Sequence, residues 1–341
     1  MARFYYGGQA VMEGVMMRGR NTVAVAVRRP EGDIYVHEEA LTPKIYQNKY
    51  LRLPFLRGMV LLWEMLVLGT RMMTLSANIA SEAGASPAPT TTTGEEAGAS
   101  SAPTAEKAGA SSEAGESSAP MGGASMILPL IVSLTFAIAI FFVGPLLLTS
   151  LLRGQIGDGW LNLTLEGVIR LLLLVGYLYI IGRVPDIQRV FGYHGAEHKA
   201  INAMEQGDAL TVENVRRASR VHTRCGTGFM LLVMVVSIVV FAFIGSPSLL
   251  IKIVSRIVLV PVVAGIAYEV MRLGAANYRY RVVRWLLAPG LALQGLTTRE
   301  PDDSMIECAI ASLQRVLTRD TEKQAVGKDE PVVPSSLVTN V

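Results

Sequence analysis

Residues 117–152, between Glu116 and Arg153, carry no charge. Within them "MILPLIVSLTFAIAIFFVGPLLLTSLL" is longer than the ~20 apolar residues that cross the hydrocarbon of a bilayer. Backbone groups in hydrocarbon must be satisfied within the segment, so such a run is read as a helix. That stretch directs the chain toward a membrane fold, and three further segments repeat the signal. One covers about Leu161 to Gly182 and carries Glu166 and Arg170, whose i,i+4 spacing lets them pair on one face. Another, Gly226 to about Ile244, has no charge. The last covers about Leu250 to Leu273, with Lys252 and Arg256 expected to snorkel from one end. Composition agrees. Hydrophobic residues make up 51% of the 341 and charged residues 17%, the latter below the ~25% usual for soluble domains. A net charge of +3 is too small to argue for nucleic acid, and the expected partner is the lipid bilayer.

A fifth apolar segment, residues 52–80, is interrupted by Arg57, Glu64 and Arg71 at seven-residue intervals. A charge at the bilayer centre costs at least about 2.5 kcal/mol, so this segment is read as readily as a re-entrant, interfacial or protein-buried helix as a full span, with Glu64 pairing to Arg57 or Arg71. Loop charges set an orientation. Residues 1–57 hold nine Lys or Arg, residues 183–224 seven and residues 272–299 five, whereas "RGQIGDGW" holds one Arg. With four spans the three basic segments share one side, expected to be cytoplasmic.

The opening "MARFYYGGQAVMEG" has no apolar run of the kind a secretory signal needs. Residues 1–50 are read as a Gly/Met loop or short strands followed by a β-hairpin, with its turn at Pro30 to Asp33. Residues 81–123 are a low-complexity Ala/Gly/Ser/Thr/Pro/Glu linker without an aromatic residue, expected to be disordered. Residues 124–273 form the four-helix transmembrane domain. Residues 274–320 combine a Tyr/Trp/Arg-rich interfacial segment with an amphipathic helix. The helix begins at Asp302 or Asp303, and its stripe is Ile306, Ala309, Ile310, Leu313 and Leu317. Residues 321–341 are the expected disordered tail. The fold class is therefore mainly α: a polytopic membrane protein of about four spans, one interfacial or re-entrant helix and a small N-terminal β-unit.

Three of the four histidines, His194, His198 and His222, fall within the loop 183–225. In "HGAEH" the two histidines are four apart and share a helix face. Glu197 lies beside them, as in the H-x-x-E-H arrangement of two metal ligands and a general base. Gly192 and Gly195 leave open a helix start at His194, which weakens the shared face. "HTRC" adds Cys225 three residues after His222, and imidazole with thiolate suits Zn²⁺. Glu269, near the end of the last span, is a further candidate ligand. Each residue also has a plainer role: interfacial histidines for the first pair, a helix end with a buried Cys for the second, a salt bridge to Arg272 or a loop Arg for Glu269. The Gly/Met loop reads as tight turns, or as a cover over the metal site bringing Gln9, Glu13 or Arg18 to a substrate.

The blocks "GGQAVMEGVMMRG", "GYHGAEHKAINAME", "HTRCGTGFMLLVMVVSIVVF" and "LTTREPDDSMIECAIASL", in that order, resemble the YqhQ family of bacterial membrane proteins. That family carries a domain of unknown function and is commonly labelled a predicted metal-dependent enzyme. The resemblance implies a multi-pass bacterial cell-membrane protein whose pattern falls on His194, Glu197, His198, His222 and Cys225. Residue chemistry and resemblance together lead to one expectation: a divalent ion, Zn²⁺, at the cytoplasmic face, with Glu197 activating water for hydrolysis of a membrane-embedded lipid or peptide. A structural metal in a non-catalytic scaffold or assembly factor is the competing expectation.

Overall fold

The computed structural model describes residues 6–41, 53–81, 123–152, 154, 157, 159–244 and 248–329. Residues 82–122 of the expected linker 81–123 and residues 330–341 of the expected tail lie outside them, while Ser81 and Gly123 end and begin helices.

Strands β1 (Gly7–Val11), β2 (Gly14–Arg18), β3 (Thr22–Arg28) and β4 (Ile34–Ala40) form one antiparallel meander in chain order. The expected hairpin is β3–β4, in register from Thr22↔Ala40 to Arg28↔Ile34. The Gly/Met stretch supplies the other two strands. Val23 to Val27 of "TVAVAVR" are all apolar because the sheet is covered on both sides, which removes the usual polar alternation. Ala24 and Ala26 face one layer with Val15 and Met17. Val23, Val25 and Val27 face the other with Val11 and Met16.

Helix α1 (Leu56–Ser81) covers the second face through Met72 and Ile79. It is apolar enough to cross a membrane, and its 26 residues span about 39 Å at 1.5 Å per residue. Its charges pair outside the helix: Arg57 with Glu269, Arg71 with Glu39, and Glu64 with Arg18. The expected pairing of Glu64 with Arg57 or Arg71 is not formed. Seven residues are about 10 Å along a helix axis, too far for ion pairs between those charges.

The first charge-free run is helix α2 (Gly123–Ile138), a π turn at Ala139–Val143 and α3 (Gly144–Leu151). Two further helices long and apolar enough to cross a membrane are α4 (Trp160–Ile181) and, after helices α5 (Pro185–Gln206) and α6 (Val212–Arg217), α7 (Gly226–Ile244). The stretch expected as a metal-site loop is thus largely helix. The expected fourth span is broken into α8 (Leu249–Val258) and α9 (Val260–Ala276), bent by 49°. Pro261, which lacks an N–H, stands at the start of α9 and ends helical continuity there. Among the described residues, four helices are long and apolar enough to cross a membrane, or five if the bent pair is one span.

Arg256 does not snorkel. It is 1% exposed and donates to Glu166, as does Arg170. Glu166 supplies the opposite charge that an apolar interior demands. Helix α10 (Arg281–Thr297) packs with α4 and α9 around α7. Helix α11 (Asp303–Asp329) extends beyond residue 320, where the sequence boundary was drawn. Its apolar stripe packs with α5 on the first face of the sheet, through Ile306, Ala309, Leu313 and Val316.

Candidate metal centre

Helix α5 begins with Pro185 and Asp186, suited to a helix start, and ends at Gly207 with φ 85°. "HGAEH" lies in its middle, so Gly192 and Gly195 do not mark a helix start. They permit close packing instead. A Cβ on Gly195 would lie 2.1 Å from Arg299 O, and one on Gly192 would lie 2.6 Å from Met305 Sδ. His194 and His198 therefore share a face, with ring centroids 4.4 Å apart.

Main-chain carbonyls orient both rings. His194 Nδ1 is 2.9 Å from Thr297 O, and His198 Nδ1 is 2.5 Å from Arg220 O. A carbonyl only accepts, so each Nδ1 donates and each neutral ring keeps its lone pair on Nε2. Metal-ligating histidines are fixed in this way. Cys225 precedes the first residue of α7, and its Sγ lies 3.4 Å from His194 Nε2. Thr227 N–H donates to the same sulfur at 3.4 Å.

One ligand atom from each of His194, His198 and Cys225 lies within 4.8 Å of the other two. A tetrahedral Zn²⁺ with ~2.0–2.3 Å bonds separates its ligand atoms by about 3.3–3.8 Å. The His194–Cys225 edge already has that length. The widest edge closes with a side-chain adjustment of about an ångström. His198 and Cys225 are buried, while His194 is partly exposed.

Glu197 Oε2 is 3.9 Å from His194 Nε2. Burial raises its carboxyl pKa, opposed by His194 and by the backbone N–H of Gly8. Strand β1 closes over it: a Cβ on Gly8 would meet Glu197 Cγ at 2.9 Å and Met16 O at 2.5 Å. The N-terminal sheet therefore covers the site, but by backbone. Gln9 packs against Gly69, Glu13 holds Arg189 and Tyr193, and Arg18 holds Glu64.

The structure does not bring His222 or Glu269 into the three-residue group. The His222 ring is 5.4 Å from that of His198, centroid to centroid, and its Nε2 accepts from Arg224 at 3.0 Å. Burial, reinforced by Arg224, pushes its pKa down to about 3. Glu269 accepts from Arg57 Nε at 2.7 Å and Nη2 at 2.5 Å, with Arg272 at 3.7 Å. Its plainer role as a salt-bridge partner is the one seen.

Sequence reasoning missed the supports from α10. Gln294 clamps the His222 backbone, accepting from its N at 3.1 Å and donating to its O at 2.7 Å. Thr297 shares a 2.7 Å hydroxyl bond with Thr227. The available signal was Gln294 and Thr297, three apart in an otherwise apolar "LALQGLT": polar groups on one helix face, turned inward.

A relative in Bacillus subtilis (strain 168), "Uncharacterized protein YqhQ", is 36% identical over 319 residues, covering 92% of each chain. No solved structure matches. The family described as "Protein of unknown function (DUF1385)" matches residues 53–319, which include every residue of the candidate metal centre. On that coverage and that identity, the chain belongs to the DUF1385 family, alongside YqhQ.

Proposed function

We propose that the protein is a metal-dependent membrane enzyme, hydrolytic in type, with Zn²⁺ held by His194, His198 and Cys225. The carrying observation is the pair of Nδ1–carbonyl hydrogen bonds that leaves two Nε2 lone pairs beside one sulfur. His194, His198 and Cys225 would hold the ion, which when bound would supply Lewis acidity to a water. Glu197, 3.9 Å from His194 Nε2, is placed to take a proton there and hold it within a buried carboxyl. The substrate is a membrane-embedded lipid or peptide. The bilayer is the bacterial cell membrane, and the charge bias puts the site at the cytoplasmic face. Metal analysis of the purified protein is the test. Stoichiometric metal in wild type, lost in His194→Ala/His198→Ala, is expected; metal that persists in the double variant would sink the ligand assignment.

Burial of the site favours a second reading. Glu197 and His198 are 4% and 1% exposed, and β1 lies over Glu197. A metal so enclosed suits a structural role in a membrane scaffold or assembly factor. Glu197→Gln separates the two: an enzyme keeps its metal and loses function, whereas a scaffold keeps both.

A further inference from the structure

A cavity of about 540 Å³ lies at the end of α4, within the ~300–1,000 Å³ usual for small-ligand sites. It adjoins the backbone that orients the histidines: Arg220, whose O holds His198, lines it, and so does Thr298, the neighbour of Thr297, whose O holds His194. Its lining combines apolar surface from Leu178 and Tyr179 in the last turn of α4 and Leu296 of α10 with the side chains of Arg183, Arg220 and Arg299.

The positive charge is not cancelled locally. Among the lining residues the acid is Glu300, and its two oxygens are held by Lys199 Nζ at 2.6 Å and Arg220 Nε at 3.0 Å. Arg299 Nη2 donates to Gly182 O at 3.1 Å, and Arg183 donates to the Tyr179 hydroxyl. A guanidinium has five N–H donors, so these bonds orient the side chains and leave donors for a ligand. Both Arg183 and Arg299 are exposed. Arg183 also follows the last residues of a span, where lipid headgroups meet water.

We propose that this cavity binds a phosphate-bearing lipid. The phosphate bonds to Arg183, Arg220 and Arg299, where forked donors match its oxygens, and an acyl chain runs along Leu178 and Leu296. The inference rests on the membrane part of the proposed function and not on the metal. It adds to that reading a class of ligand held one backbone layer from the histidines.

The test is calorimetric titration of the full chain in non-ionic detergent with three probes: dioctanoyl phosphatidic acid, dioctanoylglycerol and inorganic phosphate. Phosphatidic acid is expected to bind at least about tenfold tighter than either of the others, and Arg183→Gln/Arg299→Gln to weaken it by about tenfold or more. Inorganic phosphate binding as tightly would overturn the lipid part, and dioctanoylglycerol binding as tightly would overturn the phosphate part. No binding by wild type, or unchanged affinity in the double variant, would overturn the site. Arg183→Lys/Arg299→Lys, which keeps the charge, should recover part of the affinity and so guards against misfolding. Metal content measured on the same samples separates failure of this site from failure of the metal centre.

Discussion

Replacing Glu166 with Ala should be among the most damaging single changes in the span bundle. Glu166 is 4% exposed, and Arg170 and Arg256 are 1% exposed each. Its carboxylate accepts from Arg170 Nη2 at 2.7 Å, and from Arg256 Nε at 3.2 Å and Nη2 at 3.1 Å. After its loss Arg170 still donates to Phe141 O in the π turn and to Ser237 Oγ. Arg256 keeps only the face of Phe241, 4.0 Å away, since its Nη1 has no hydrogen-bond partner among the described residues. Removing one partner of a buried ion pair costs about 3–5 kcal/mol, because the other charge stays behind. Two guanidiniums are stranded here, which puts the loss near the upper end. At ~2–4 °C per kcal/mol for a domain of this size, the melting temperature should fall by roughly 10–20 °C. Tryptophan-fluorescence or size-exclusion melting in detergent reads this directly. Replacing all three residues with Met should recover most of the loss, because an apolar triad has no charge to strand. A melting point for Glu166→Ala within about 2 °C of wild type would refute the idea that the two arginines depend on this carboxylate.

Three further outcomes follow from other contacts. Gly195→Ala places a Cβ 2.1 Å from Arg299 O, so it should cost about 1–3 kcal/mol in thermal melting and lower metal content as α5 moves from Thr297. Gln294→Leu removes both bonds that clamp the His222 backbone; a chelator competition should show metal held about 10–100-fold more weakly, as for other outer-shell supports, while unchanged affinity would remove Gln294 from that role. Hydrogen bonds from Arg319 and Arg315 lower the Glu38 pKa from 4.5 to about 2. The folded state therefore binds this proton less readily, so the stabilisation is full above pH 4.5 and is lost as pH falls toward 2. Acid denaturation of Glu38→Gln should thus differ from wild type by up to about 1 kcal/mol near neutrality and converge with it at the acid end.

Local rules made some features legible and left others hidden. The charge-free runs and the α11 stripe were readable because lipid and core burial each impose a periodicity or a length. The hairpin was readable because Gly32 and its neighbours form a turn. The second face of the sheet was signalled by the unbroken apolar run Val23 to Val27, which lacks the alternation of a half-buried strand, but what covers it, helix α1 through Met72 and Ile79, has no local signature. The direction of Arg256 depends on Glu166, ninety positions earlier, which no local pattern reveals. At the site, "HGAEH" and Cys225 could be read as ligand chemistry. The selection among His222, Glu269 and the three grouped residues could not, because it turns on Arg224 and Arg57 reaching the first two. Gly192 and Gly195 misled for a related reason: in sequence they resemble a helix break, and in space they let α5 approach Met305 and Arg299.

If His194, His198 and Cys225 hold the proposed ion, their placement gives metal removal a specific consequence. His194 and His198 belong to α5, which packs with β1, β2 and α11 in the sheet layer. Cys225 immediately precedes α7, which lies at the centre of the bundle of apolar helices. An ion on all three ties one layer to the other, and its binding free energy becomes part of their association. Without it the junction keeps the bonds between α5 and the end of α10, His194 Nδ1 to Thr297 O and Arg299 N–H to Phe191 O. Chelation should therefore leave both layers folded and loosen the join between them. Hydrogen–deuterium exchange is the measurement: amides around 194–198 and 225–229 should lose protection, while those of β3 and the middle of α4 keep theirs. Cys225→Ala should show the same pattern before any chelator is added. Loss of protection throughout the sheet would instead make the ion necessary for the sheet layer itself, and no change at the junction would mean that the three side chains hold no ion between the layers.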